Sequence, residues 1–218
     1  MLTIHDLFDL NHTLAADYLA GFTHPWEALK GIKDLILTLG GSLPEEYTEV
    51  SPQVWVHRTA RIAPTAYLGA PCIIGPETEV RHCAFIRGSA LIGASCVVGN
   101  SVELKNVILF DKVQVPHFNY VGDSILGYKA HMGAGSITSN VKSDRTLVCV
   151  STPGGKFPTG LKKFGAMLGD HAEIGCNSVL NPGTVIGRRT NVYPLSSVRG
   201  FVPADSIFKT GGVIVNKE

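Results

Sequence analysis

Every sixth residue from Val56 to Phe110 is aliphatic or aromatic: Val56, Ile62, Leu68, Ile74, Val80, Ile86, Ile92, Val98, Leu104 and Phe110. The pattern returns at Leu168, Ile174, Leu180, Ile186, Val192 and Val198. Val121, Leu126 and Met132 bridge the two runs, with five-residue steps from Pro116 to Val121 and from Val121 to Leu126. Four residues after each anchor stands a small residue, as at Ala66, Cys72, Thr78, Ala84, Ala90 and Cys96, and Gly often follows the anchor directly. A period of six suits neither an α-helix at about 3.6 nor a lone strand at 2. It suits a short strand and a tight corner, repeated. The large anchor points inward, the small residue sits where the corner leaves little room, and Gly tolerates the corner's backbone angles. This is the hexapeptide signature of a parallel β-helix, whose stacked units bury a face that one unit alone leaves exposed.

Residues 1–47 lack the six-residue period. Asp6 through Leu19 reads as one amphipathic helix. A second helix starts near Thr23, a candidate cap, with Pro25 in its first turn, and Ala28, Leu29, Ile32, Leu35 and Ile36 recur at helical spacing. Gly40 and Gly41 end it. This hairpin is expected to cap the open end of the β-helix, where unpaired strand edges would otherwise stand. The expected layout is a helical cap over 1–47, an all-β domain over 48–205 with a loop excursion at 141–162, and a tail over 206–218.

The net charge of +1 gives no sign of a nucleic-acid or membrane partner. The five cysteines have no paired CxxC spacing, and Cys72 and Cys96 fall in small inward slots. They read as reduced packing thiols in a cytoplasmic protein. The N-terminus carries Asp6 and Asp9 rather than a basic start, and no apolar run reaches the roughly 18 residues of a spanning helix.

If three six-residue faces make one coil, residues 18 apart stack about 4.8 Å apart. Arg87 and Lys105 stand at that separation. Two stacked cations suit an anion between them, such as a phosphate, or acidic side chains there, or simply a solvated face softened by Glu103. His117 sits where the repeat breaks, beside Asn119, Tyr120 and Asp123. An imidazole titrating near pH 6.5 is a candidate general base, with Asp123 a candidate to orient it. A lone histidine is more often a surface or packing residue.

Between Arg87 and Asn140, and again from Lys163 to about Leu195, the chain resembles a known family. The residues are Arg87-Gly88, the run from Gly99 to Lys105, His117 with Tyr120, Gly122 and Asp123, the run from Gly133 to Thr138 with Asn140, and Lys163-Phe164 leading to Leu168-Gly169-Asp170. These resemble the acetyltransferase half of bacterial bifunctional N-acetylglucosamine-1-phosphate uridyltransferase/glucosamine-1-phosphate acetyltransferase. The resemblance implies a left-handed β-helix, a homotrimer, and acetyl-CoA bound between subunits. It implies that Arg87, Lys105, Tyr120 and Lys163 hold an amino-sugar phosphate, with Asn140 near the sugar. His117 is then the base, Ala134 offers backbone contact to the thioester, and Cys176 and Pro194 line coenzyme A. It implies no metal.

Three departures stand out. No uridyltransferase domain is present in the chain. His131 replaces an Asn that contacts the sugar in the family. Residues 141–162 form a longer excursion, whose Arg145, Lys156 and Lys162 suit either a loop over an anion or a solvated hairpin. Arg188 and Arg189 fall on a corner and are candidates for the phosphates of coenzyme A, an exposed charged turn being the commoner case. Two other classes remain open at this point. One is a non-catalytic sugar- or nucleotide-binding scaffold. The other is a γ-class carbonic anhydrase-like zinc enzyme, for which His82, His117 and His131 are imperfectly spaced, with Gly122 where a second close His is needed.

Overall fold

A computed structural model describes residues 2–217. The chain is a left-handed parallel β-helix with a small helical N-terminus. Each coil carries three short strands. Face 1 starts at Val54–His57 and continues through Cys72–Ile74, Ala90–Ile92, Ala166–Leu168, Thr184–Ile186 and Phe201–Val202. Face 2 runs from Arg61–Ile62 to Ser206–Phe208, and face 3 from Tyr67–Leu68 to Ser197–Val198. Strands Glu103–Leu109 and Tyr120–Leu126 bend around the corner from face 3 into face 1.

The anchors fill the interior: Ile74, Ile86, Val98, Leu104, Leu126, Leu168 and Ile186 are fully buried. At the corners single residues adopt the left-handed conformation. Cys83, Ser101, Phe118, Asn177 and Leu195, with φ between 52° and 59°, mark the second corner, between faces 2 and 3. Ser89, Asn106 and Asp123 mark the third, between faces 3 and 1.

The repeat shortens at a place different from the one expected. Leu104 pairs with Ile86 but Leu109 pairs with Ile92, so one residue is lost at the Asn106 corner. The inward anchors are therefore Leu109 and Val115 rather than Phe110 and Pro116, and the short step precedes Leu109. The second short step, Val121 to Leu126, stands. Phe110 misleads because it too is buried, on the outside, where the ring of Phe8 lies 5.1 Å away.

Faces 2 and 3 alternate buried with exposed residues, but face 1 is buried on both sides. Its outward residues Ile73, Leu91, Ile108, Ile125, Met167 and Val185 are all covered. The N-terminal helices cover the upper rungs. They form three short α-helices, α1 (Ile4–Leu7), α2 (Ala16–Ala20) and α3 (Ile32–Gly40), with 3₁₀ helices at Leu10–His12 and Pro25–Gly31. The first expected helix is thus broken in three, and the cap before Pro25 is His24 with Glu27, not Thr23. α3 packs on the strands at Cys72–Ile74, Ala90–Ile92 and Glu103–Leu109. The segment is held by hydrogen bonds from Asp111 N to His12 O, Asp170 N to Leu7 O and Asp9 N to the Asp170 carboxylate. It lies along a face rather than over the open end, because face 1 offers the larger apolar area. The first edge is instead paired by the antiparallel strand Tyr47–Ser51, and the last by Ile214–Asn216.

The excursion is an antiparallel hairpin, Val148–Thr152 and Gly155–Leu161. It buries Val148, Val150 and Leu161 over the lower coils. Gly183 and Gly200 let it approach. A Cβ there would lie 2.7 Å from the Val148 side chain and 2.6 Å from the Ser151 carbonyl, respectively.

Candidate functional site

The residues singled out from sequence fall into three groups around the helix. The first is a file on the second corner. His117, Ala134, Cys176 and Pro194 follow the inward anchors of successive coils by two residues. Backbone bonds tie the file together: Gly135 N donates to His117 O, Asn177 N to Ala134 O and Leu195 N to Cys176 O. His117 ends the strand Gln114–His117 and is exposed. Its backbone is fixed by the buried Asn119 side chain, which accepts the His117 N–H and donates to Gly133 O and Ser136 O. The imidazole has no hydrogen-bond partner among the described residues. The Ala134 N–H also has none there, so it remains free to donate outward.

The second group lies at the third corner, at the other end of the same rung of face 3. Asp123, 3% exposed, closes it. Its carboxylate accepts from Lys105 Nζ at 2.8 Å, Asn106 Nδ2 at 3.0 Å and Asn140 Nδ2 at 2.5 Å. Asn140 Nδ2 also donates to the Tyr120 hydroxyl at 3.1 Å. Burial, then the Asp123 and Glu103 carboxylates, push the Tyr120 phenol above its ordinary 10.0. Arg87 lies just above, bound to Glu103 at 2.8 Å. A cleft of about 420 Å³ opens beside Asp123, lined by Lys105, Lys162 and Lys163 and, from the N-terminal segment, Lys30.

Of the partners expected for Arg87 and Lys105, acidic side chains are the ones present: each has its own carboxylate one rung away, Glu103 and Asp123. Two expectations need correction here. Asp123 does not orient His117. The corner turns it to the opposite end of face 3, toward Lys105. Arg188 and Arg189 stand on the first corner, where Asp170 lies 3.4 Å and Asp205 2.6 Å away, so the chain neutralises them itself.

His131, the third location, is on face 2 and bonds Glu173 at 2.8 Å, facing away from Asn140 and Tyr120. Sequence reasoning missed Lys30 as a site residue and read Lys162 only as part of a basic loop. Lys30 lies in a segment without the repeat, so only the packing of that segment on face 1 brings it to the corner. Lys162 adjoins Lys163, and that pairing was a visible signal. An apolar cavity of about 510 Å³ between Leu2, Leu7, Phe157 and Phe201 shares no residue with these groups. Among the described residues, no three His, Cys, Asp or Glu side chains converge as a metal set.

The family model for the GMPPB C-terminal domain matches residues 71–152. Similar curated proteins include a bifunctional sugar-1-phosphate nucleotidylyltransferase/acetyltransferase of Sulfurisphaera tokodaii, 32% identical over 49% of this chain and 26% of that protein. The bifunctional protein GlmU of Methanococcus maripaludis is 29% identical over 53% of this chain and 28% of its own length. The chain thus spans roughly a quarter of these relatives. Among solved structures, the N-acyltransferase AntD of Bacillus cereus, in complex with dTDP and coenzyme A, aligns over 75% of this chain and 83% of its own, at 18% identity and a TM-score of 0.44.

Proposed function

We propose that the chain is an acetyl-CoA-dependent N-acetyltransferase acting as a homotrimer. Its acceptor is an amino-sugar phosphate such as glucosamine 1-phosphate, or a related nucleotide-linked amino sugar. One observation carries the reading. A file of His117, Ala134, Cys176 and Pro194 runs down one corner, and a lysine-lined cleft, joined through Asp123 to Asn140 and Tyr120, stands across the same face. The resemblance to proteins whose names join sugar-1-phosphate chemistry with acetyl transfer supports it.

In this reading the phosphate lies among Lys30, Lys162 and Lys163, with Arg87 and Lys105 at its edge. The sugar extends over Tyr120 toward His117. An ammonium is no nucleophile, so His117 takes the proton as nitrogen attacks the thioester carbonyl. The free Ala134 N–H stabilises the resulting oxyanion, and coenzyme A leaves as its thiol. No covalent enzyme intermediate is needed. A second copy of the chain fits against face 3, where Tyr67 (60% exposed), Phe85, Phe118 (62%) and Leu195 (76%) present a broken apolar strip.

A non-catalytic sugar- or nucleotide-binding scaffold is the second reading. The internal pairing of Arg87 and Lys105 and the unoriented imidazole of His117 favour it. Thiol release from acetyl-CoA, assayed with a panel of amino sugars, their 1-phosphates and nucleotide-linked forms, separates the two. The enzyme turns over at least one phosphorylated amino sugar repeatedly. A scaffold binds members of the panel and releases no thiol.

A further inference from the structure

Two coils above His117 on the second corner, about 10 Å along the axis, three side chains form a cluster unrelated to the lysine cleft. Cys83 Sγ lies 3.2 Å from His82 Nε2, and His82 Nδ1 lies 2.7 Å from Thr65 Oγ1. Thr65 Oγ1 also accepts the Cys83 backbone N–H at 3.2 Å. With Nδ1–H donated to Thr65, Nε2 is left to take the thiol proton. A nucleophile, a base in reach and a third group fixing the base are the parts of an activated thiol.

The other cysteines lack this arrangement. Burial pushes Cys72 and Cys96 up to about 12, which keeps them as thiols. Cys149 and Cys176 are exposed but have no histidine partner. A groove of about 340 Å³ meets the cluster at His82 and is lined besides by Arg61, Glu79 and Arg81. Glu79 binds Arg81 at 2.9 Å, while Arg61 forms no ion pair among the described residues. The groove therefore favours an electrophile with an anionic tail.

We propose that Cys83 is a nucleophilic thiol, deprotonated by His82, that accepts the acyl group of an acyl thioester carrying such a tail. The proposal rests on the function above for its donor, acetyl-CoA. The Cys83 sulfur attacks the thioester carbonyl and a new C–S bond forms. The bond to coenzyme A breaks, and the proton held on His82 passes to the departing thiolate. Nothing is oxidised or reduced.

The test compares wild type with His82→Ala and Thr65→Val, reading each cysteine by peptide mass spectrometry and using no amino sugar. Iodoacetamide is expected to label Cys83 about tenfold or more faster than Cys149 and Cys176, as a positioned base gives. His82→Ala brings it to their pace, and Thr65→Val slows it in part. Acetyl-CoA is expected to leave one acetyl group on Cys83 with one thiol released. Labelling of Cys83 no faster than Cys149 overturns the proposal. Fast labelling without acetylation overturns the assignment of the thioester. Because no acceptor sugar is present, a failed transferase assay with an acetylated Cys83 would sink only the function proposed above.

Discussion

Asp123 shows how one residue organises the candidate site. It sits in the left-handed conformation, φ 49°, where a short side chain turns back on its own corner. From there its buried carboxylate gathers Lys105, Asn106 and Asn140. Removing it leaves a half-buried ammonium unpaired, so Asp123→Ala is expected to cost about 2–4 kcal/mol in urea unfolding. No change in the midpoint would contradict the pairing. Tyr120 hangs on the same cluster. A spectrophotometric titration of wild type minus Tyr120→Phe is expected to show a phenol with a midpoint above 10.0, since burial and two carboxylates oppose its ionisation. The sequence made Lys105, Tyr120 and Asn140 visible as a spaced set. It hid the partner of Asp123, because which residue of the next rung it meets is set by the side of the corner to which each side chain turns.

At the scale of elements, the six-residue period was readable because every inward position must be apolar, whatever lies outside. The position of the first short step was not, since Phe110 is apolar for a different reason. The covered face did leave a trace. Cys72-Ile73-Ile74, Ala90-Leu91-Ile92 and Ala166-Met167-Leu168 are apolar at both alternating positions, which marks a strand buried on two sides. The N-terminal segment and the hairpin are what bury the outer side. Truncating Ile108 or Ile125 to Ala therefore creates a cavity under them and is expected to cost about 2–5 kcal/mol, more than the same truncation of the half-buried Val179 on face 3. Asp170 pins the same segment. Burial dominates and holds its carboxyl above the ordinary 3.8, against the lowering effect of the Asp9 and Tyr128 N–H groups and Arg188. A raised carboxyl favours the folded state when protonated, so its contribution grows as pH falls through the folded value toward 3.8 and is lost as pH rises. The stability difference between wild type and Asp170→Asn is accordingly expected to be larger near about pH 4 than near about pH 7 in paired urea titrations. A difference that grows with pH would contradict the burial of this group.

For the whole molecule, the β-helix separates its chemistry among three corners. The lysine cleft and His117 share one face, and the apolar strip of Tyr67, Phe85, Phe118 and Leu195 borders both. Native mass spectrometry is expected to find three copies together, with Leu195→Asp shifting the population toward monomer. A wild-type monomer would contradict the proposed trimer. The fold alone accommodates either a transferase or a scaffold, and the imidazole at the second corner decides between them. The most direct measurement is the steady-state rate of acetyl transfer to glucosamine 1-phosphate, or to whichever phosphorylated amino sugar turns over, for wild type and His117→Ala. The account predicts a fall in kcat of about 10²-fold or more with KM little changed, as loss of a positioned base gives. Equal rates for the two proteins would contradict it.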